Sequence, residues 1–281
     1  MTILEYYKVF QSNLADLYSV NEAESIARWA FEELLSVNST QLMLEPNGLL
    51  TDAESQYMDA HLKRLLNGEP LQYVLGKVEF FGLELKTDAR ALIPRPETEE
   101  LIYLIKNDGL KLSSVLDIGT GSGCIPLALK SIFSEASVSS CDVSPEALSL
   151  ARENSENTGL DIELLERDIL KWQDYTWGSY DLIVSNPPYV SSEDKELMHN
   201  NVLKHEPHLA LFSEEDPLAF YKAISEFAAQ VLKPGASLYF EINESKAAEC
   251  LELTSSYGFQ AEALKDIHEK YRFIRAIKKA T

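Results

Sequence analysis

The sequence predicts an α/β protein: a doubly wound, mostly parallel sheet preceded by a small helical N-terminal domain and a β-hairpin connector. Three observations carry this. Apolar residues recur at helical spacing through the N-terminal quarter, strand-like and helix-like segments alternate from residue 96 onward, and a glycine-rich turn joins the first of those strands to a helix.

Residues 1–76 are expected to form the helical domain. Ile26, Trp29, Ala30 and Leu34, and again Met58, Leu62, Leu65 and Leu66, recur with the period of one helix face. Asn21 before a Glu-rich start, a turn at Pro46-Asn47-Gly48, and Thr51 followed by Glu54 as a capping box divide the region into short helices. Residues 77–95 form the connector, with β-type runs at 77–81 and 83–86 broken at Gly82. Pro96 then opens a Glu-rich helix, the position where proline's fixed φ suits a helix start.

Over 96–281 the alternation places strands at 114–118, 137–142, 162–165, 180–185, 237–242 and 271–277, with helices at 125–131, 145–157 and 218–232. Buried apolar strands separated by helices argue for helices on both sheet faces.

Composition narrows the function. The 281 residues are 45% hydrophobic and 25% charged, a globular profile, with 25 Lys and Arg against 45 Asp and Glu. The net charge of −20 repels polyanions and disfavours direct nucleic-acid binding. Cys124, Cys141 and Cys250 are too scattered for a disulfide framework or a zinc site. No basic leader precedes an apolar core at Met1-Thr2-Ile3-Leu4-Glu5 and no apolar run is long enough to span a bilayer, so a cytoplasmic location without membrane contact is expected. His199, His205 and His208 are poorly spaced as ligands; they are expected to be solvated loop residues, and no metal site is expected.

The strand at 114–118 runs straight into Gly119-Thr120-Gly121-Ser122-Gly123, where glycines let the backbone turn tightly and approach a ligand. Asp142 ends the next strand nineteen residues beyond Gly123, placed to accept hydrogen bonds from two ribose hydroxyls. A dinucleotide fingerprint wants Gly or Ala in its sixth position, and Cys124 stands there. Asp117 puts a negative charge at the mouth of the loop, opposing a pyrophosphate but suiting the ammonium and sulfonium end of S-adenosylmethionine, which is therefore favoured. Asp168 is placed to meet the adenine amino group, with Ile169 against the ring; an acid in a surface turn explains Asp168 equally well.

The strand at 180–185 runs into Asn186-Pro187-Pro188-Tyr189. Two prolines stiffen this loop, so the Asn186 side-chain oxygen and the Pro187 carbonyl can each take one N–H of a planar amino group. An amide nitrogen is a weak nucleophile, and alignment in line with a methyl–sulfur bond supplies what it lacks. Tyr189 is expected to wall the substrate plane. Alone the segment reads as a polyproline turn; at the carboxyl end of a strand in this architecture it reads as a site.

With these residues the chain resembles the release-factor glutamine N5-methyltransferases of the HemK/PrmC type, within class I S-adenosylmethionine-dependent methyltransferases. The resemblance rests on Gly68-Glu69-Pro70 with Gly76, on Leu92-Ile93-Pro94-Arg95-Pro96-Glu97-Thr98-Glu99, on 117–123 and on 184–190. It implies a seven-stranded sheet and, as substrate, the glutamine of the Gly-Gly-Gln loop of class-1 peptide chain release factors. It implies that Gly119 to Gly123, Asp142 and Asn186 hold the cofactor, that Asn186, Pro187, Pro188 and Tyr189 hold the glutamine, and that the N-terminal helices contact the release factor. Arg95 and Glu97 are expected to shape the entrance, or else to brace the helix start as a pair. The chain departs from the pattern at Asn243, where such enzymes carry glycine after Glu241-Ile242, and at Asp216-Pro217, which replaces an Asp-Gly step.

The alternatives are a ribosomal-protein glutamine methyltransferase with the same loop, a nucleic-acid amino-methyltransferase, against which the charge argues, and a non-catalytic nucleotide-binding module. The working form is expected to be a monomer.

Overall fold

The computed structural model describes residues 1–45, 47–189, 200–211 and 216–279. The chain divides into two compact units: Met1–Lys77 together with the helix Asn200–His205, and the remainder.

The first unit contains α1 (Ile3–Leu14), α2 (Val20–Leu35), α3 (Ser39–Leu44), α4 (Asp52–Leu66) and α5 (Leu71–Leu75). Side chains satisfy orphan N–H groups at the helix starts. Thr2, Asn38 and Thr51 each make a capping box with Glu5, Gln41 and Glu54. Ser19, not Asn21, caps α2: its hydroxyl accepts from the Glu22 N–H, so Asn21 falls inside the first turn. The buried stripe of α2 is Ala23, Ala27, Ala30 and Phe31, at i, i+4, i+7 and i+8. Trp29, one residue and about 100° from Ala30, is therefore 51% exposed, while Met58 and Leu65 of α4 are buried as their spacing requires. Asn47 and Gly48 form a turn, with the Gly48 carbonyl accepting from the Ile3 N–H; Pro46 lies outside the described residues. Asn201 donates to the Tyr18 hydroxyl at 3.2 Å, and Lys204 reaches the Asn67 carbonyl at 3.2 Å, holding Asn200–His205 within this unit. His205 sits on that helix, half-buried, its Nε2 3.3 Å from the Asn67 carbonyl, so it is not a solvated loop residue; His199 lies outside the described residues.

β1 (Lys77–Phe80) and β2 (Leu83–Lys86) pair as a hairpin. Its two turn residues, Phe81 at φ 52° and Gly82 at φ 75°, both take the left-handed conformation that a tight hairpin needs. There follow α6 (Pro96–Asn107), β3 (Ser114–Ile118), α7 (Cys124–Ile132), β4 (Ser137–Asp142), α8 (Pro145–Thr158), β5 (Glu163–Glu166), a 3₁₀ turn (Ile169–Asp174) and β6 (Tyr180–Ser185). The chain continues through α9 (Asn200–His205), α10 (His208–Leu211), α11 (Ala219–Val231), β7 (Leu232–Glu241), α12 (Ala247–Ser256), β8 (Phe259–Lys265) and β9 (Tyr271–Lys278).

The expected mostly parallel seven-stranded sheet is present, in the order β5-β4-β3-β6-β7-β9-β8, with β9 antiparallel to both neighbours. The seventh strand is β8, reached through α12; neither was read from the residues. β8 is an edge strand in which half-buried and exposed positions dominate, so it lacks a strong apolar signal. Two apolar layers sandwich the sheet: Leu116, Ile183, Leu238 and Ile274 pack towards α11, and Val115, Leu182, Val184 and Tyr239 towards α6 and α7. Asn154 of α8 is fully buried. It donates to the Lys86 and Ser122 carbonyls and accepts from the Lys86 N–H, tying the hairpin to the glycine loop.

Among the described residues no helix is long and apolar enough to cross a membrane. The three cysteines are free and buried.

Candidate active site

From β3 the chain winds outward through β4 to β5, and from β6 it winds the other way through β7. The loops after β3 and β6 therefore diverge, opening a crevice at the carboxyl ends of adjacent strands, where open α/β sheets bind ligands. Ile118 and Ser185 are register partners there, and the Ser185 hydroxyl donates to the Ile118 carbonyl at 2.7 Å. A cleft occupies this crevice.

The floor of the cleft is the glycine loop. Gly119 and Gly121 have φ of 81° and 53°, a conformation that favours glycine. The Gly119 and Thr120 N–H groups donate to the Cys141 carbonyl, anchoring the loop to β4. Asp142, at the end of β4, accepts from the Gly121 N–H and the Ser144 N–H, each at 2.9 Å. Burial raises its carboxyl above the usual range, opposed by those N–H groups. Each oxygen keeps capacity for a ligand hydroxyl. Asp168 lines the cleft and also caps the 3₁₀ turn, accepting from the Leu170 N–H at 3.0 Å, so the two readings of this acid are compatible; Ile169 lies beside it.

The opposite wall is the loop after β6. Asn186, Pro187 and Pro188 line the cleft, and the Asn186 carbonyl is 4.0 Å from where a Cβ on Gly119 would stand. Asn186 Nδ2 donates to the Thr98 hydroxyl at 3.3 Å, and Thr98 donates to Glu241 at 2.7 Å. Thr98 and Glu241 are each 2% exposed. Burial pushes the Glu241 carboxyl up to about 7, opposed first by the Thr98 hydroxyl.

The structure thus brings Arg95, Gly119, Thr120, Gly121, Ser122, Asp142, Asp168, Ile169, Asn186, Pro187 and Pro188 to one cleft. It does not bring Asp117, Gly123, Tyr189 or Glu97 to its lining. Asp117 is not at the loop's mouth: it is fully buried opposite Ser140, its β4 register partner, whose hydroxyl donates to Oδ2 at 2.6 Å. Gly123 faces α8, where an added Cβ would come within 3.1 Å of Ala151 Cβ, so close packing explains it. The Tyr189 ring, partly buried, packs against the apolar layer that contains Tyr221 and Phe240 and is not among the residues lining the cleft. Arg95 pairs with Glu206, at 2.7 Å, so the bracing pair expected with Glu97 is not the one formed. Val190, at the end of the motif, lies outside the described residues.

Thr98, Glu241 and Glu206 were missed as site residues. Thr98 stands inside a segment singled out on other grounds, and Glu241 is a lone acid ending an apolar strand, a signal of burial that needs a partner. Asn243 takes φ −70°, which any residue adopts, so the missing glycine leaves the backbone undisturbed. Asp216 caps the next turn, accepting from the Leu218 N–H at 2.9 Å. Among the described residues no His, Cys, Asp or Glu cluster is arranged to hold a metal.

Comparison with known proteins decides the family. Residues 5–76 match the model of the PrmC N-terminal domain and residues 97–211 that of the methyltransferase small domain. The chain is 40% identical to the release factor glutamine methyltransferase of Flavobacterium psychrophilum, across 98% of this chain and 99% of that protein. It is 36% identical to the protein of the same name from Bacteroides thetaiotaomicron, across 95% and 96%. The chain belongs to the release factor glutamine methyltransferase family. The fold is also that of the hMettl16 catalytic domain, with a TM-score of 0.55 at 18% identity, over 84% of this chain and 86% of that one.

This methyltransferase uses S-adenosylmethionine as methyl donor. The residues present fit that group. The hydroxyls of Thr120 and Ser122, two residues of the glycine loop that line the cleft, are buried without hydrogen-bond partners. Unsatisfied buried polar atoms are uncommon, and their clustering here matches a polar ligand.

Proposed function

We propose that this methyltransferase methylates the side-chain amide nitrogen of the glutamine in the Gly-Gly-Gln loop of class-1 peptide chain release factors. The observation that carries the reading is the juxtaposition of the acceptor loop, Asn186 to Pro188, with the glycine loop across one cleft.

Bound S-adenosylmethionine supplies an electrophilic methyl group on a sulfonium. In this reading Asp142 takes the ribose hydroxyls, the backbone of Gly119 and Gly121 gives close approach, and Asp168 with Ile169 receives the adenine. Asp117 lies beneath the loop, where the Ser140 hydroxyl donates to it, and acts through the loop it underpins. On the substrate side the Asn186 side-chain oxygen and the Pro187 carbonyl each accept one N–H of the glutamine amide. Fixing both hydrogens leaves the lone-pair direction of the nitrogen facing the methyl, replacing with orientation the nucleophilicity that delocalisation removes. Pro188 stiffens the loop, and Tyr189 anchors it from behind by packing into the core.

The helical unit of residues 1–76 is assigned to recognition of the release factor; its match to the PrmC N-terminal domain supports this. Residues 77–95 connect it to the methyl-transferring domain, residues 96–281. The protein acts in the cytoplasm as a monomer, and its charge of −20 favours contact with protein over nucleic acid.

The test is transfer of label from S-adenosylmethionine to purified release factor, with the modified residue located by mass spectrometry. One labelled glutamine in the Gly-Gly-Gln loop is expected. Label appearing only on ribosomal protein, RNA or DNA overturns the reading.

A further inference from the structure

We propose that Thr98 and Glu241 are positioning residues that fix the side-chain amide of Asn186 with its oxygen towards the substrate. The inference rests on the reading of Asn186 as an acceptor for the substrate amide. Proton counting decides the orientation. A carboxylate only accepts, so the single hydroxyl proton of Thr98 is committed to Glu241 at 2.7 Å. What Thr98 offers Asn186 is a lone pair, which only Nδ2 can use, and Nδ2 stands 3.3 Å away. A reversed amide would set two oxygens against each other with no hydrogen between them, and would present N–H groups to a substrate that itself brings N–H groups.

The inner bond of the relay is buried, so water does not compete for it: Thr98 and Glu241 are each 2% exposed, while Asn186 faces the cleft. It is also switchable. A protonated Glu241 donates to Thr98, releasing the Thr98 proton to Asn186 Oδ1 and turning the amide round. Around Glu241 stand Thr98, Arg95 and Glu97 at the start of α6, Arg272 on β9 and Tyr189 after β6, and Tyr221 of α11 donates to its backbone carbonyl. Burial outweighs the two arginines and holds the Glu241 proton up to about 7. The acceptor geometry is therefore lost as pH falls through that value.

The test uses Thr98→Val, Thr98→Ser and Glu241→Gln in the full chain. With release factor as substrate, Thr98→Val should lower kcat/KM about 10- to 100-fold, with cofactor affinity by calorimetry within about 2-fold of wild type and Thr98→Ser restoring most of the rate. Wild-type kcat/KM should fall on the acid side of about pH 7, and Glu241→Gln should lose that limb. In the free protein the Asn186 side-chain amide signal in NMR should titrate with the same midpoint, and no longer do so in Thr98→Val or Glu241→Gln. Wild-type rate in Thr98→Val, equal losses in Val and Ser, or a titration unchanged in Glu241→Gln would each sink the relay. A wild-type protein inert towards release factor removes the functional reading, and the NMR titration still decides the relay.

Discussion

Arg95 and Glu206 stand 111 residues apart in sequence, yet one guanidinium nitrogen of Arg95 donates to both carboxylate oxygens of Glu206, at 2.7 and 2.8 Å. The Glu206 side chain is 1% exposed and that of Arg95 35%, and Glu206 also accepts from the Ile93 N–H at 3.3 Å. The two partners are therefore not equivalent. Arg95→Ala strands a buried carboxylate and is expected to cost about 3 kcal/mol, whereas Glu206→Gln keeps an acceptor for the same donors and should cost about 1 kcal/mol. Urea unfolding checks the order, and the reverse order would reject the account.

Asn186→Ala removes the side-chain acceptor and leaves the glycine loop intact. Turnover with release factor should fall about 100-fold or more, the scale of a lost orienting hydrogen bond at a reacting group, while S-adenosylmethionine still binds. Single-turnover kinetics beside calorimetry separates the two effects.

Gly119 and Gly123 share a left-handed backbone but face different surroundings. Gly123→Ala drives a methyl against Ala151 and should destabilise the fold by about 2 kcal/mol. Gly119→Ala projects its methyl to within 4.0 Å of the Asn186 carbonyl, so its main effect should be a weakening of cofactor binding by about 10-fold or more. Melting temperature and calorimetric affinity should rank the pair in opposite orders.

Asp117 predicts a pH dependence of stability. Burial pushes its carboxyl up to about 7, against about 4 for an ordinary aspartate. Between those values the unfolded chain gives up a proton that the folded protein retains, so the group's contribution to stability falls as pH rises and is fully lost above about 7. Asp117→Asn cannot ionise. Its stability relative to wild type should improve from pH 4 to pH 7 by about 1.4 kcal/mol for each pH unit over which the folded protein keeps the proton. Chemical unfolding at several pH values measures the difference, and a constant or shrinking difference would count against a buried neutral acid.

The glycine loop, Asp142 and the Asn-Pro-Pro loop were legible because their requirements are local. Left-handed turns select glycine, and proline removes donors whatever lies elsewhere. The packing of Tyr189 against the core layer was not legible, because an aromatic ring beside a site and one packed into the layer beneath look alike in sequence. Thr98 and Glu241 escaped notice because their meaning lies in each other, 143 residues apart. Asp117 was placed on the wrong side of its loop for the same reason: its partner Ser140 is set by the register of β3 and β4. β8 lacked a signal because an edge strand keeps few positions dry.

Ile118 and Ser185 occupy one rung of the central ladder, and in the proposed reading the methyl-donating and methyl-accepting halves hang from its two ends. Rewriting the few residues after Ser185 changes which nucleophile is seated without disturbing the nucleoside cradle after Ile118, so one scaffold can host many acceptors. Slippage between these two strands has the contrary effect. A single step would turn every side chain of one strand to the other face and part the two halves together, which makes the reaction tolerant of new loops and intolerant of a shifted rung.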